Sequence, residues 1–162
     1  MEPQFSYQNM DKAARYEQFL KDFVPYISDE HEEISVLANT TAALRQAFGW
    51  FWIGFYLVRD EQLVLGPFQG DVACYRIRYV RGVCGTAWAQ ASTQVVPDVE
   101  LFPGHIACSG SSRSEIVVPL IANGTVRAVL DIDSDTLATF DDTDRHYLEI
   151  LCSKICDEIY KD

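Results

Sequence analysis

Residues 115–133 read EIVVPLIANGTVRAVLDID, two apolar runs separated by Asn123 and Gly124. Both central positions of a two-residue hairpin turn need positive φ, which asparagine and glycine tolerate best. The stretch therefore predicts strands over Glu115–Ala122 and Val126–Asp133 joined by a tight turn. The runs are apolar at nearly every position, as expected of strands in the middle of a sheet. Three acids interrupt them. Glu115 opens the first strand, while Asp131 and Asp133 alternate along the second, so all three carboxylates can project from one face of the hairpin. A solvated sheet edge would account for them as well. Asp131, however, stands among Ala128, Val129, Leu130 and Ile132, where an ionisable group is costly without a ligand or partner.

Upstream of the hairpin, Trp50–Val58 is a dense aromatic and aliphatic run, and Leu63–Leu65 resumes after the polar residues 59–62, which predicts a strand pair. Gly66–Gly70 predicts a turn, Val72–Tyr79 a further strand, Gly82–Gln90 a short helix rich in small residues, and Thr93–Val96 a short strand. From Pro97 to Ser114 there is no period and much Gly, Ser and Pro, the signature of a long functional loop. Two helices come first. Met10–Val24 places Tyr16, Phe19, Leu20 and Phe23 on one stripe and is expected to stop at Pro25. The second starts in the acidic stretch around Asp29 and Glu33, carries Ile34, Leu37, Ala38, Thr41, Leu44 and Phe48 at helical spacing, and closes on Gly49. Asp141–Tyr160 is an amphipathic closing helix whose initial acids favour the dipole. The order predicts an α+β single domain: N-terminal helices over 10–48, sheet and active-site loop over 50–133, and a closing helix over 141–160.

The 162-residue chain is 48% hydrophobic and 23% charged, a globular composition within the range of one domain. No run of about 18 apolar residues and no signal-peptide pattern occurs, so the expected location is cytoplasmic, without a membrane partner. Thirteen Lys and Arg against 24 Asp and Glu leave a net charge of −11, which argues against nucleic acid as a partner. Five cysteines without an export signal point to reduced thiols that are buried, metal-bound or catalytic.

Cys74, Cys84 and Cys108 lack the spacing of common zinc sites, so no metal is expected. Cys108 lies in the long loop, where a thiol is either reactive or an incidental surface group, and His105 can pair with it or simply face solvent. Cys152 and Cys156 read as packing residues of the last helix. Trp50, Trp52 and Tyr56 share a strand face and serve either as core or as the wall of a pocket for a small cationic or zwitterionic molecule.

Taken together, residues 66–70 (GPFQG), 81–85 (RGVCG), 95–99 (VVPDV), 103–108 (PGHIAC) and 112–120 (SRSEIVVPL) resemble the free methionine-R-sulfoxide reductase family, which has a GAF-type fold. The resemblance spans roughly residues 10–160. It implies a six-stranded antiparallel sheet flanked by helices, a small-ligand pocket under the long loop, and a homodimer. It implies thiol-dependent reduction of free L-methionine (R)-sulfoxide through a cysteine sulfenic acid and an intramolecular disulfide, recycled by thioredoxin, with neither cofactor nor metal. Cys108 then matches the attacking cysteine and Cys74 and Cys84 the resolving thiols, with an exchange of roles between Cys84 and Cys108 left open. Glu115, Asp131 and Asp133 match the pocket carboxylates, Glu115 and Asp133 also serving catalysis, and Trp52 and Tyr56 match the aromatic wall. Ser109 stands where many relatives carry an acid. The competing class is a non-catalytic GAF module that binds a small molecule or senses redox state, although the Asn-Lys, Phe and Asp-Glu motif of cyclic-nucleotide binders is absent.

Overall fold

The computed structural model describes residues 3–106, 108 and 110–161. The chain runs α1 (Lys12–Ile27), α2 (Glu33–Phe48), β1 (Trp52–Arg59), β2 (Gln62–Gln69), β3 (Arg76–Arg78), α3 (Gly82–Gln90), β4 (Gln94–Val96), a 3-10 turn (Val99–Leu101), β5 (Ser114–Ala122), β6 (Thr125–Ser134) and α4 (Asp142–Ile159). The strands form one six-stranded antiparallel sheet in the order β3-β2-β1-β6-β5-β4. The β5–β6 hairpin sits near its centre, and Asn123 and Gly124 take φ of 52° and 75° as the turn requires.

Register decides what each face of this sheet carries. Trp52 pairs with Asp133, Gly54 with Asp131 and Tyr56 with Val129, while Glu115 pairs with Asp133 and Val117 with Asp131. Directly paired residues share a face, so the aromatics and all three acids point the same way. The alternate residues, among them Ile53, Phe55, Ile116, Val118, Leu130 and Ile132, form the opposite face and bury against α1, α2 and α4. Each such side chain contributes about 1.5–3 kcal/mol of transfer free energy. α4 is fixed at its start by a capping box between Asp141 and Asp144, and buried Asp144 is satisfied by Lys12 Nζ at 2.7 Å and the Tyr16 hydroxyl at 2.6 Å.

Four expectations need correction. Pro25 lies inside α1, which runs on to Ile27. The carbonyl it leaves without an N–H belongs to Lys21 on the exposed side of the helix, where water can serve it. Residues 66–69 belong to β2 and do not form a turn. A bulge places Gly66 and Pro67 opposite Phe55, and a proline within a bulge withholds no ladder hydrogen bond. The strand expected over 72–79 shrinks to Arg76–Arg78, because residues 71–74 are held by side chains and a disulfide described below. Trp50 precedes β1 and so escapes its alternation. It stacks on Phe48 at 4.4 Å in the helical core.

Candidate active site

The acid-bearing face is covered by α3 and by the segment between β4 and β5, which leaves a cavity of about 50 Å³. Its floor is Glu115 from β5 with Asp131 and Asp133 from β6, the first two buried and Asp133 partly buried. Its wall is Trp52 and Tyr56 from β1, with ring centroids 6.2 Å apart and nearly parallel. Gly54 lies between them, and a Cβ there would collide with the Trp52 ring and with Phe68, so the wall needs glycine at that position. Cys84 enters from the first turn of α3, itself buried. Cys84 Sγ and one oxygen each of Glu115 and Asp131 lie within 4.8 Å of one another.

At the mouth, Cys74 and Cys108 form a disulfide with a Cα–Cα separation of 5.5 Å. Its two ends are positioned differently. Trp52 Nε1 donates to the Asp71 carbonyl and the Tyr56 hydroxyl to the Cys74 carbonyl, both at 2.9 Å, so the aromatic wall also holds the segment that carries Cys74. On the Cys108 side, Ser112 Oγ donates to Asp133 Oδ1 at 2.9 Å, and Arg113 N donates to the Ser134 carbonyl at 2.7 Å. His105 Nε2 stands 4.0 Å from Glu115 Oε1, so this imidazole faces the carboxylate floor.

Three carboxyl groups in one buried cavity cannot all ionise at low cost. Burial first, then the charge of Asp131, pushes both Glu115 and Asp133 well above the usual carboxylate range. Asp131 is also raised by burial, but hydrogen bonds from Glu115 and Cys84 oppose the rise. Burial, followed by the charge of Asp131, keeps Cys84 well above an ordinary thiol and hence protonated. The floor thus holds protons and carries less than its formal charge, with Asp131 the carboxylate most able to stay ionised. Among the described residues, Asp131 Oδ1 is buried without a hydrogen-bond partner.

The GAF domain family profile matches residues 30–156. The free methionine-R-sulfoxide reductase of Escherichia coli is 44% identical over 147 residues, covering 90% of this chain and 89% of that protein. The chain belongs to the free methionine-R-sulfoxide reductase family of GAF-domain proteins. GAF domain-containing protein A of Dictyostelium discoideum is 56% identical, covering 85% of this chain and 87% of its own length. Among solved structures, the free methionine-R-sulfoxide reductase of Neisseria meningitidis in complex with its substrate superposes with a TM-score of 0.95 at 49% identity, over 99% of this chain and 96% of that one.

In this family member, the structure gathers Cys108, Cys74, Cys84, Glu115, Asp131, Asp133, Trp52 and Tyr56 around one cavity. Cys152 and Cys156 are buried in the opposite core, as their helical spacing predicts. Ser109 lies outside the described residues. Two contributions escaped the sequence reading. Ser112 fixes Asp133, and the polar tips of Trp52 and Tyr56 anchor residues 71–74. Ser112 sits in a serine-rich loop with no local signal to single it out. An indole or phenol at the end of a pocket face, by contrast, always needs a partner for its N–H or O–H, which was a usable clue.

Proposed function

We propose that the chain reduces free L-methionine (R)-sulfoxide to L-methionine, with Cys108 as the attacking thiol and Cys74 as the thiol that closes the disulfide. The observation that carries the reading is the Cys74–Cys108 bond at the mouth of a cavity floored by three acids and walled by two aromatics. The Escherichia coli relative bears that activity in its name, and the Neisseria meningitidis structure holds its substrate.

In this reading the substrate ammonium replaces the missing partner of Asp131, and its methyl end lies against Trp52 and Tyr56. The Cys108 thiolate attacks sulfur while Glu115 or Asp133, protonated through burial, donates to the departing oxygen. Methionine leaves as Cys108 takes up the oxygen as a sulfenic acid. Cys74 then condenses with it, releasing water and forming the disulfide, and an external dithiol of the thioredoxin class accepts the oxidation in turn. Cys84, buried and held as a thiol by its surroundings, acts as a hydrogen-bond donor to the floor, and the Cys74–Cys108 pairing favours Cys74 as the principal resolving group.

Selectivity for the free amino acid follows from the floor, because an amide nitrogen cannot satisfy carboxylates arranged for an ammonium. The test is NADPH oxidation coupled through thioredoxin and thioredoxin reductase, run on separated sulfoxide diastereomers and their N-acetyl forms. The expected result is turnover of the free R form alone. Comparable rates on the N-acetyl compound would overturn the enclosed-pocket reading.

A further inference from the structure

The pocket contains a donor set that the reduction reaction does not require in combination. Cys84 Sγ, Glu115 and Asp131 come from α3, β5 and β6, are all buried, and present their ligand atoms within 4.8 Å of one another. A tetrahedral zinc ion with one thiolate and carboxylate ligands spaces those atoms about 3.5 Å apart, so a contraction of roughly 1 Å would close the site. Asp131 Oδ1, in a residue only 6% exposed, has no hydrogen-bond partner and so offers a free lone pair at this cluster. His105 Nε2 stands 4.0 Å from Glu115 Oε1 but outside the 4.8 Å cluster, so it would swing inward to supply a nitrogen for a fourth position. A single thiolate with imidazole and carboxylates is a borderline-soft set that suits Zn2+ better than Mg2+ or Ca2+.

We propose that Cys84, Glu115 and Asp131, with His105 as the fourth donor, form an inhibitory Zn2+ site that the ion occupies when no amino acid fills the pocket. The ion would take the place assigned above to the substrate ammonium, so its competition with substrate rests on the proposed function, whereas its binding does not. Entry releases the Cys84 proton and any proton held between Glu115 and Asp131 to solvent, leaving a thiolate–metal bond and two carboxylate–metal bonds with no change of oxidation state. The site does not use the redox pair. In the disulfide form Cys74 and Cys108 have no thiol to offer, which leaves Cys84 as the described thiol among the cavity-lining residues.

Co2+ added alone to the disulfide form tests this, since a cobalt–thiolate bond gives a charge-transfer absorption that no carboxylate site produces. One equivalent should develop the band in the wild type and in a Cys152→Ala/Cys156→Ala variant, and Zn2+ should abolish it by displacement. Cys84→Ser should lose the band while keeping its circular dichroism. Should that variant fail to fold, Glu115→Gln serves instead, retaining the band but weakening affinity by about tenfold or more, as losing a ligand or its support does at metal sites. Absence of the band in the wild type, or its survival in folded Cys84→Ser, overturns the assignment. Free methionine sulfoxide should displace the metal. A band that forms normally but resists the sulfoxide would sustain the metal site and count against the substrate pocket.

Discussion

The two faces of the central sheet are made by alternate residues of the same strands, yet they obey opposite rules. Toward α1, α2 and α4, the sheet presents Ile53, Phe55, Leu130, Ile132, Ile116 and Val118, without a charged atom among them. One residue away along each strand stand Trp52, Tyr56, Asp131, Asp133 and Glu115. The cysteines divide in the same way: Cys152 and Cys156 in the helical core, and Cys74, Cys84 and Cys108 around the cavity. The helical face stabilises the fold by removing apolar surface from water, whereas the cavity face keeps ionisable groups where burial disfavours their charge. Stability and chemistry are thus separated by the pleat, and substitutions on the two faces should fail differently.

The largest effect should come from Cys108→Ser. With the proposed attacking sulfur gone, turnover should fall on the order of 10³-fold or more, as removal of a nucleophile does elsewhere. Cys74→Ser should instead release one equivalent of methionine and then recycle slowly. Methionine counted by chromatography after a single turnover separates the two. Release at wild-type yield by Cys108→Ser, with none from Cys74→Ser, would exchange their roles.

The reverse behaviour is expected of Leu130→Ala on the helical face. Leu130 is fully buried and flanked on its strand by Val129 and Asp131, which look the other way. Truncation should cost about 2–5 kcal/mol by leaving a cavity. Denaturant melts should reveal that loss, while the rate per folded molecule stays near wild type. A large fall in rate with an unchanged melt would show that the faces are not independent.

Glu115→Gln should move the two readouts in opposite directions. Activity is expected to fall by roughly 5- to 150-fold, the equivalent of about 1–3 kcal/mol for one buried carboxylate. Stability at neutral pH should rise. A carboxyl whose native value lies above its unfolded value binds more protons folded than unfolded, so its contribution is complete below about pH 4 and is lost as the pH climbs toward the raised native value. The amide has no proton to lose. Thermal melts across this range should show a shallower decline in the variant and a higher neutral melting temperature, at about 2–4 °C for each kcal/mol. Parallel pH profiles for the two proteins would mean that Glu115 is not the strained group.

How far the site could be read from sequence follows from the same pleat. Alternation put Asp131 and Asp133 on one face, because a period of two is the one long-range fact a strand carries locally. Glu115 joins them through a register shift at Leu120 and Ile121 that pairs it with Asp133, where an unbroken two-residue hairpin would have set it opposite Ile132. The apolar surroundings of Asp131 marked it as a residue in need of a partner. The bulge at Gly66 and Pro67 was not legible, since both residues signal a turn and only pairing with β1 extends the strand through them. Nor was the contracted β3. What shortens it is the pull of Trp52, Tyr56 and Cys108 on residues 71–74, contacts between segments far apart in the chain. Trp50 went to the wrong face because the alternation was carried back past the start of the strand.

The smallest effect offers the finest comparison, because it uses one residue type on both faces. Cys152 is buried in the helical core among Leu148, Leu151 and Ile155, and burial raises its thiol well above the ordinary range, which leaves it unreactive. Cys152→Ala removes a single small group there. The expected loss is on the order of 1 kcal/mol, about 2–4 °C in melting temperature, with the rate on free methionine sulfoxide unchanged. Cys84 is buried too, but its neighbours are Asp131 and Glu115. In Cys84→Ala the carboxylate floor loses a thiol donor, so the rate should fall measurably for a comparable change in stability. Equal rates in the two alanine variants would remove Cys84 from the working face and leave the division of the sheet resting on its carboxylates alone.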